Sequence, residues 1–255
     1  MRAPSYVQGV SRLPLLGDTV GSLLDRIAAS HPERPALVVR SQQVRLSYRE
    51  FHAEVERVAA GLLALGLQRG DRIGIWAPNR GEWVVLQFAA PKAGLILVNV
   101  NPAYRLHELE FALSKVSCKA LVLPRRFKTS HYLDMLNELA PELVHSPPGE
   151  LVAARLPALR KVILLDDVAA PGTRAWGDVA ALGDAQAIEH LRTVEQELSF
   201  DDPVNIQFTS GTTGAPKGAT LTHHNIINNG YFIGEAMRLT EQDRLCIPVP
   251  FYHCF

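Results

Sequence analysis

Four short apolar runs, RIGIW (72–76), LILVNV (95–100), KALVLP (119–124) and KVILLD (161–166), punctuate the chain at intervals filled by helical periodicity. Strands that are apolar throughout have no face to offer to water, so both faces need covering. The segments between them supply the cover: GEWVVLQFAAPKAG, RLHELEFALSKV and FKTSHYLDMLNELAPEL each read as a helix, the first with a proline inside it. Strand–helix alternation of this kind predicts an α/β fold, a parallel sheet flanked by helices on both faces.

The first part of the chain reads differently. ALVVR (36–40) and VRLS (44–47) flank SQQ and predict a hairpin, and Ser47 with Glu50 forms a capping box for the helix that follows. Phe51, Val55, Val58, Leu62 and Leu65 recur at three- and four-residue steps in that helix, and Gly66 stops it. Residues 1–66 are therefore expected to form a hairpin-plus-helix layer belonging to a second subdomain, and residues 67–255 the α/β subdomain. Signals weaken over residues 146–198, which read as surface connection.

Composition excludes several function classes. The 255 residues carry 26 Lys+Arg against 26 Asp+Glu, so no global field points to nucleic acid or an anionic membrane. WVVLQFAAPKAGLILV is the most apolar stretch, and Gln87, Pro91 and Lys92 break it, so no integral membrane segment is expected. Cys118, Cys246 and Cys254 form an odd set without CxxC spacing, which favours free thiols in a reducing compartment. Arg2 and Arg12, with no acid before Asp18, have the charge pattern of a transit peptide, but the stretch is short and broken by Pro4 and Pro14. The cytoplasm is the expected compartment.

VNIQFT (204–209) alternates apolar with polar residues and reads as a strand; TSGTTGAPKG begins on its last residue. Three glycines allow backbone to approach a ligand closely, bare amides and the hydroxyls of Thr209, Ser210, Thr212 and Thr213 are donors, and Lys217 brings a cation. Pro216 stiffens the segment that presents Lys217. A generic loop of this composition is more often plain flexible surface. The common nucleotide P-loop is excluded by order, because it needs Gly-Lys-Ser/Thr and here the order is Pro216-Lys217-Gly218. THHNIINNGYFIGEAM then reads as a helix with Thr222 as N-cap.

The string TSGTTGAPKG resembles the phosphate-loop signature of the adenylate-forming (AMP-binding) superfamily. ATLTHHN after it, DPVNIQF before it and PVPFYHCF at residues 248–255 continue the likeness, and GDRIGIWAPNRGEW resembles the acyl-CoA synthetase branch. In detail VNPAY, KALV and YHC are most similar to its medium-chain type. The resemblance runs over residues 19–255. It implies ATP-dependent ligation of a medium- or long-chain fatty acid to coenzyme A through an acyl-adenylate, with ATP, magnesium, coenzyme A and a carboxylic acid as partners. It places Thr209, Ser210, Gly211, Thr212, Thr213, Gly214, Ala215, Pro216, Lys217 and Gly218 on the phosphates. Lys217 then serves as charge partner, and His253 stands between the substrate carboxylate and the α-phosphate. No magnesium ligand is assigned; Cys246, His253 and Cys254 lack a fourth partner at zinc-finger spacing. His223 and His224 face either the nucleotide or water, and Tyr104, Arg105 and Glu108 read as scaffold.

Family members are about twice this length, and the family's later YGxTE, TGD and terminal lysine segments have no counterpart in these residues. The chain is expected to be the N-terminal piece of a longer ligase, inactive alone, associating through apolar surface near LCIPVPFY. Two other readings stay open: a non-catalytic remnant that binds nucleotide or a partner, and an adenylation domain serving a carrier-protein thiol.

Overall fold

The computed structural model describes residues 13–209 and 216–253. Helix α1 (Val20–Ser30) comes first, an element the periodicity reading passed over. Thr19 caps it, its hydroxyl accepting from the Ser22 backbone at 3.1 Å while Ser22 Oγ accepts from Thr19 N–H at 3.0 Å. Strands β1 (Pro35–Val39) and β2 (Val44–Ser47) pair antiparallel as the expected hairpin. Ser47 and Glu50 close the capping box of α2 (Tyr48–Ala64), and the stripe Phe51, Val55, Val58, Leu62 is buried.

A seven-stranded sheet follows in the order β7-β6-β5-β3-β4-β8-β9, from β3 (Arg72–Ile75), β4 (Ile96–Asn99), β5 (Ala120–Leu123), β6 (Lys161–Leu164), β7 (Arg174–Ala175), β8 (Pro203–Thr209) and β9 (Lys217–Thr222). Every neighbouring pair is parallel except β8–β9. Alternate side chains feed two cores. Ile73, Ile75, Leu97 and Val122 face α2, α3 (Gly81–Lys92), α6 (Trp176–Ala181) and α7 (Ala185–Gln196). Trp76, Val98, Leu121 and Leu123 face α4 (Leu106–Lys115) and α5 (Tyr132–Leu139). The two-sided burial explains why these strands carry no polar alternation.

Two expectations need correction. Residues 146–198 are not merely connection: they hold β7, α6 and α7, with Val179 and Leu191 fully buried. Helix α7 packs chiefly on α2, with Leu191 as its buried side chain, so its apolar periodicity is faint. The TSGTTGAPKG string is also not wholly a loop. Lys217 and Gly218 begin strand β9, opposite Thr209 and Phe208 in antiparallel register.

Candidate functional site

The C-terminal ends of the parallel strands define one edge of the molecule. From β4 the chain crosses over β3 to reach β5, whereas from β8 it turns the other way into β9. Connections that part in this manner open a crevice at the strands' carboxyl ends, the usual ligand position in open α/β sheets. At this edge Asn99 lies opposite Gln207, so their side chains share the α3-facing side of the sheet. Both are buried, as is Asn205 one pleat earlier, and neither Asn99 Oδ1 nor Asn205 Nδ2 has a partner among the described residues.

The β8–β9 hairpin stands beside this crevice at the sheet's outer edge. Thr209 ends β8, exposed, with its hydroxyl 3.5 Å from the Lys217 carbonyl oxygen. Ser210, Gly211, Thr212, Thr213, Gly214 and Ala215 lie outside the described residues. Pro216 is half-buried and leads into exposed Lys217 and Gly218. A side chain at Gly218 would bring Cβ to 3.1 Å from Ile206 Cγ2 on the neighbouring strand, so glycine keeps the hairpin's two strands in register near its mouth. Pairing of Thr209 with Lys217 sets the lysine opposite the last residue of β8.

Residues 248–253 cross the same edge. Asn79, in the loop after β3, donates from Nδ2 to Val249 O and accepts at Oδ1 from Phe251 N–H, both at 2.8 Å. Gln207 Nε2 donates to Tyr252 O at 3.0 Å. That attachment lies two residues, about 7 Å of strand, before Thr209, so the segment carrying His253 and the hairpin share the end of β8. Phe251 packs on Trp83 with ring centroids 6.2 Å apart. His253 is exposed; its N–H donates to Pro250 O at 3.1 Å, and its ring lies edge-on to Tyr252. Tyr104 is half-buried against the core beneath α4 and α5, and burial, Glu108 and Tyr252 push its phenol above its ordinary value. Glu108 accepts from the Arg105 backbone at 3.2 Å and caps α4, as scaffold residues do.

His223 and His224 turn away from the edge. His223 is fully buried at the start of α8 (His223–Met237), its Nδ1 accepting from Val20 N–H at 2.9 Å. His224 packs beside Phe200, ring centroids 5.5 Å apart. Sequence reasoning missed Asn79 and Gln207, two amides with no motif of their own. Among the described residues no three His, Cys, Asp or Glu side chains converge as a metal site, and no helix is long and apolar enough to cross a membrane.

The profile of the family described as AMP-binding enzyme matches residues 24–255. The chain belongs to the AMP-binding enzyme family. Within it, the chain is 51% identical over 98% of its length to the zebrafish (Danio rerio) medium-chain acyl-CoA ligase ACSF2, mitochondrial, of which it spans 42%. The human protein of that name is 49% identical, again over 98% of this chain and 41% of its own length. The chain thus spans about two fifths of the length of these AMP-binding relatives. Among solved structures, the inhibitor-bound N-terminal domain of FACL13 from Mycobacterium tuberculosis superposes with a TM-score of 0.69 at 26% identity, covering 92% of this chain and 52% of that one. A long-chain-fatty-acid-CoA ligase (FadD1) from Archaeoglobus fulgidus shares the fold, with a TM-score of 0.72 at 19% identity over 98% of this chain and 45% of that one. The expectation of a cytoplasmic protein is overturned: the zebrafish and human relatives are named as mitochondrial.

Proposed function

We propose that this chain is the phosphate-gripping part of an enzyme that activates a medium-chain carboxylic acid with ATP and passes the acyl group to coenzyme A. The observation that carries the reading is the meeting, at the end of β8, of the Lys217 hairpin and the His253 segment. In the first step a carboxylate oxygen attacks the α-phosphorus, the bond to the β-phosphate bridge breaks, and pyrophosphate leaves. In the second the coenzyme A thiol attacks the acyl carbon, loses its proton, and displaces AMP. Such phosphoryl transfer depends on positioning and charge neutralisation. Residues 209–218 supply amides, hydroxyls and the Lys217 ammonium for the β- and γ-phosphates, and His253 borders the space between acid and α-phosphate. Magnesium would neutralise the phosphates further, and the described residues offer no carboxylate cluster to hold it.

The test is acid-dependent exchange of pyrophosphate into ATP by the full-length protein, with octanoate as acid. Lys217→Ala is expected to slow exchange on the order of 100-fold while leaving the melting temperature unchanged, because an exposed lysine contributes little to stability. Exchange at the wild-type rate in the variant at all ATP concentrations would remove Lys217 from the site.

A further inference from the structure

Residues 248–253 belong to no helix or strand, yet they carry His253. Two side-chain amides hold them. Val249 O and Phe251 N–H are two residues apart and point to one edge of the segment, and a single carboxamide, that of Asn79, engages both. In a parallel ladder a strand residue bonds through its backbone to a C=O and an N–H two residues apart on its neighbour; here a side chain takes the place of that partner strand. We propose that Asn79 is a positioning residue for acyl-adenylate formation: through Val249 and Phe251 it sets His253 over the end of β8, beside the phosphate hairpin. The inference rests on the ligase reading above.

A polar residue just before a helix ordinarily serves as a local cap or turn former. Asn79 does neither: both its bonds reach partners 170 and 172 residues away. Its own backbone is well anchored. The next residue, Arg80, binds Glu82 through its guanidinium at 2.7 Å and the Leu165 carbonyl at 3.0 Å, and Gly81 N–H donates to Gln42 Oε1 at 2.8 Å. A rigid loop thus presents a two-pronged amide, which is what a preorganised site requires of the residues behind it. Gln207, reaching Tyr252 O, is the second hold, and the Phe251 ring on Trp83 keeps the segment from rotating about these bonds.

The experiment measures acid-dependent ATP–pyrophosphate exchange by the full-length protein, varying octanoate and ATP in turn. Asn79→Ala is expected to lower kcat/KM for octanoate on the order of 10- to 100-fold, the size of effect that an ångström of misplacement produces. KM for ATP should stay within about twofold, since the hairpin keeps its own register. Asn79→Asp keeps the acceptor for Phe251 N–H but turns an oxygen toward Val249 O; it should fall as well, and it decides the matter if Asn79→Ala folds poorly. Combined with Gln207→Met, the loss should be less than the product of the single losses, because both residues hold one segment. A kcat/KM for octanoate within twofold of wild type in both Asn79 variants would overturn the inference, and so would an equal rise in KM for ATP. A wild type with no acid-dependent exchange would overturn the ligase reading and this inference with it. An active wild type matched by its Asn79 variants would overturn this inference alone.

Discussion

At the scale of single residues, His223 makes the sharpest forecast. Its Nδ1 accepts from Val20 N–H, so the proton sits on Nε2, which is buried without a partner among the described residues. Burial, opposed only by Asp202, pulls its pKa from 6.5 to about 4. An unfolded chain takes up this proton near pH 6.5 while the folded chain refuses it until about pH 4. Stability is therefore complete above pH 6.5 and falls on acidification through that window, by up to about 3 kcal/mol. His223→Asn keeps an acceptor near the position of Nδ1 and removes the titration. Urea midpoints between pH 7 and pH 4.5 should fall less steeply for the variant. Parallel curves would show that another group governs acid stability. Cys118 shows the same logic in a thiol: burial pushes its pKa up to about 12, leaving exposed Cys246 as the reactive one of these two.

At the scale of elements, α7 is fastened by charge. Lys92 at the end of α3 is 1% exposed and lies 2.6 Å from Glu195 on α7 and 2.7 Å from Asp25 on α1. His52 on α2 also reaches Asp25, at 2.7 Å, and Glu56 at 3.5 Å, so four helices meet at one cation and its neighbours. Burial drives Lys92 toward neutrality, but the two carboxylates win and raise its pKa. Burial pushes Asp25 up as well, yet the bonds from His52 and Lys92 hold it below its ordinary value. Glu195 goes the other way, raised, because its burial outweighs the single ammonium it meets. Lys92→Met leaves the Asp25 and Glu195 carboxylates near each other without the ammonium between them. The expected loss is about 2–3 kcal/mol, below the full cost of a broken buried pair because Asp25 and Glu195 keep some contact with water. Adding Glu195→Leu should return part of it, since an apolar replacement of the pair is better tolerated than half of it. Denaturant unfolding measures both steps; a Lys92→Met midpoint equal to wild type would mean that α7 docks by apolar packing alone.

At the scale of the molecule, the 255 residues taken alone are expected to form no acyl-CoA. They span about two fifths of their relatives' length, and under the proposed ligase reading the positioning that a complete enzyme of this kind supplies is worth roughly 7–11 kcal/mol. The chain also leaves apolar side chains in water around α8 and beyond it: Met237 is 54% exposed, Leu245 63% and Ile247 52%. Contiguous apolar surface of that kind drives association, so light scattering should report a mass above that of one chain. Turnover comparable to a full-length relative would contradict the first expectation, and a monodisperse monomer the second.

What could be read from the sequence was local. The Ser47–Glu50 and Thr222 caps, the α2 stripe and the doubly buried strands rest on contacts within four residues or on one strand's own composition, and they stand where the pattern put them. The TSGTTGAPKG string stands out in the sequence because its glycines and hydroxyls are contiguous. Three features were decided only when the chain closed on itself. The pairing of Lys217 with Thr209 depends on the edge that β8 exposes. The burial of Lys92 depends on α1 and α7 arriving from opposite ends of the sequence. The hold of Asn79 and Gln207 on residues 249–252 joins positions up to 172 apart. An amide, an imidazole or an ammonium carries no preference for a partner in its own stretch of chain. Its role is set by whichever donor or acceptor packing places within about 3 Å, and in this molecule those partners come from distant parts of the chain.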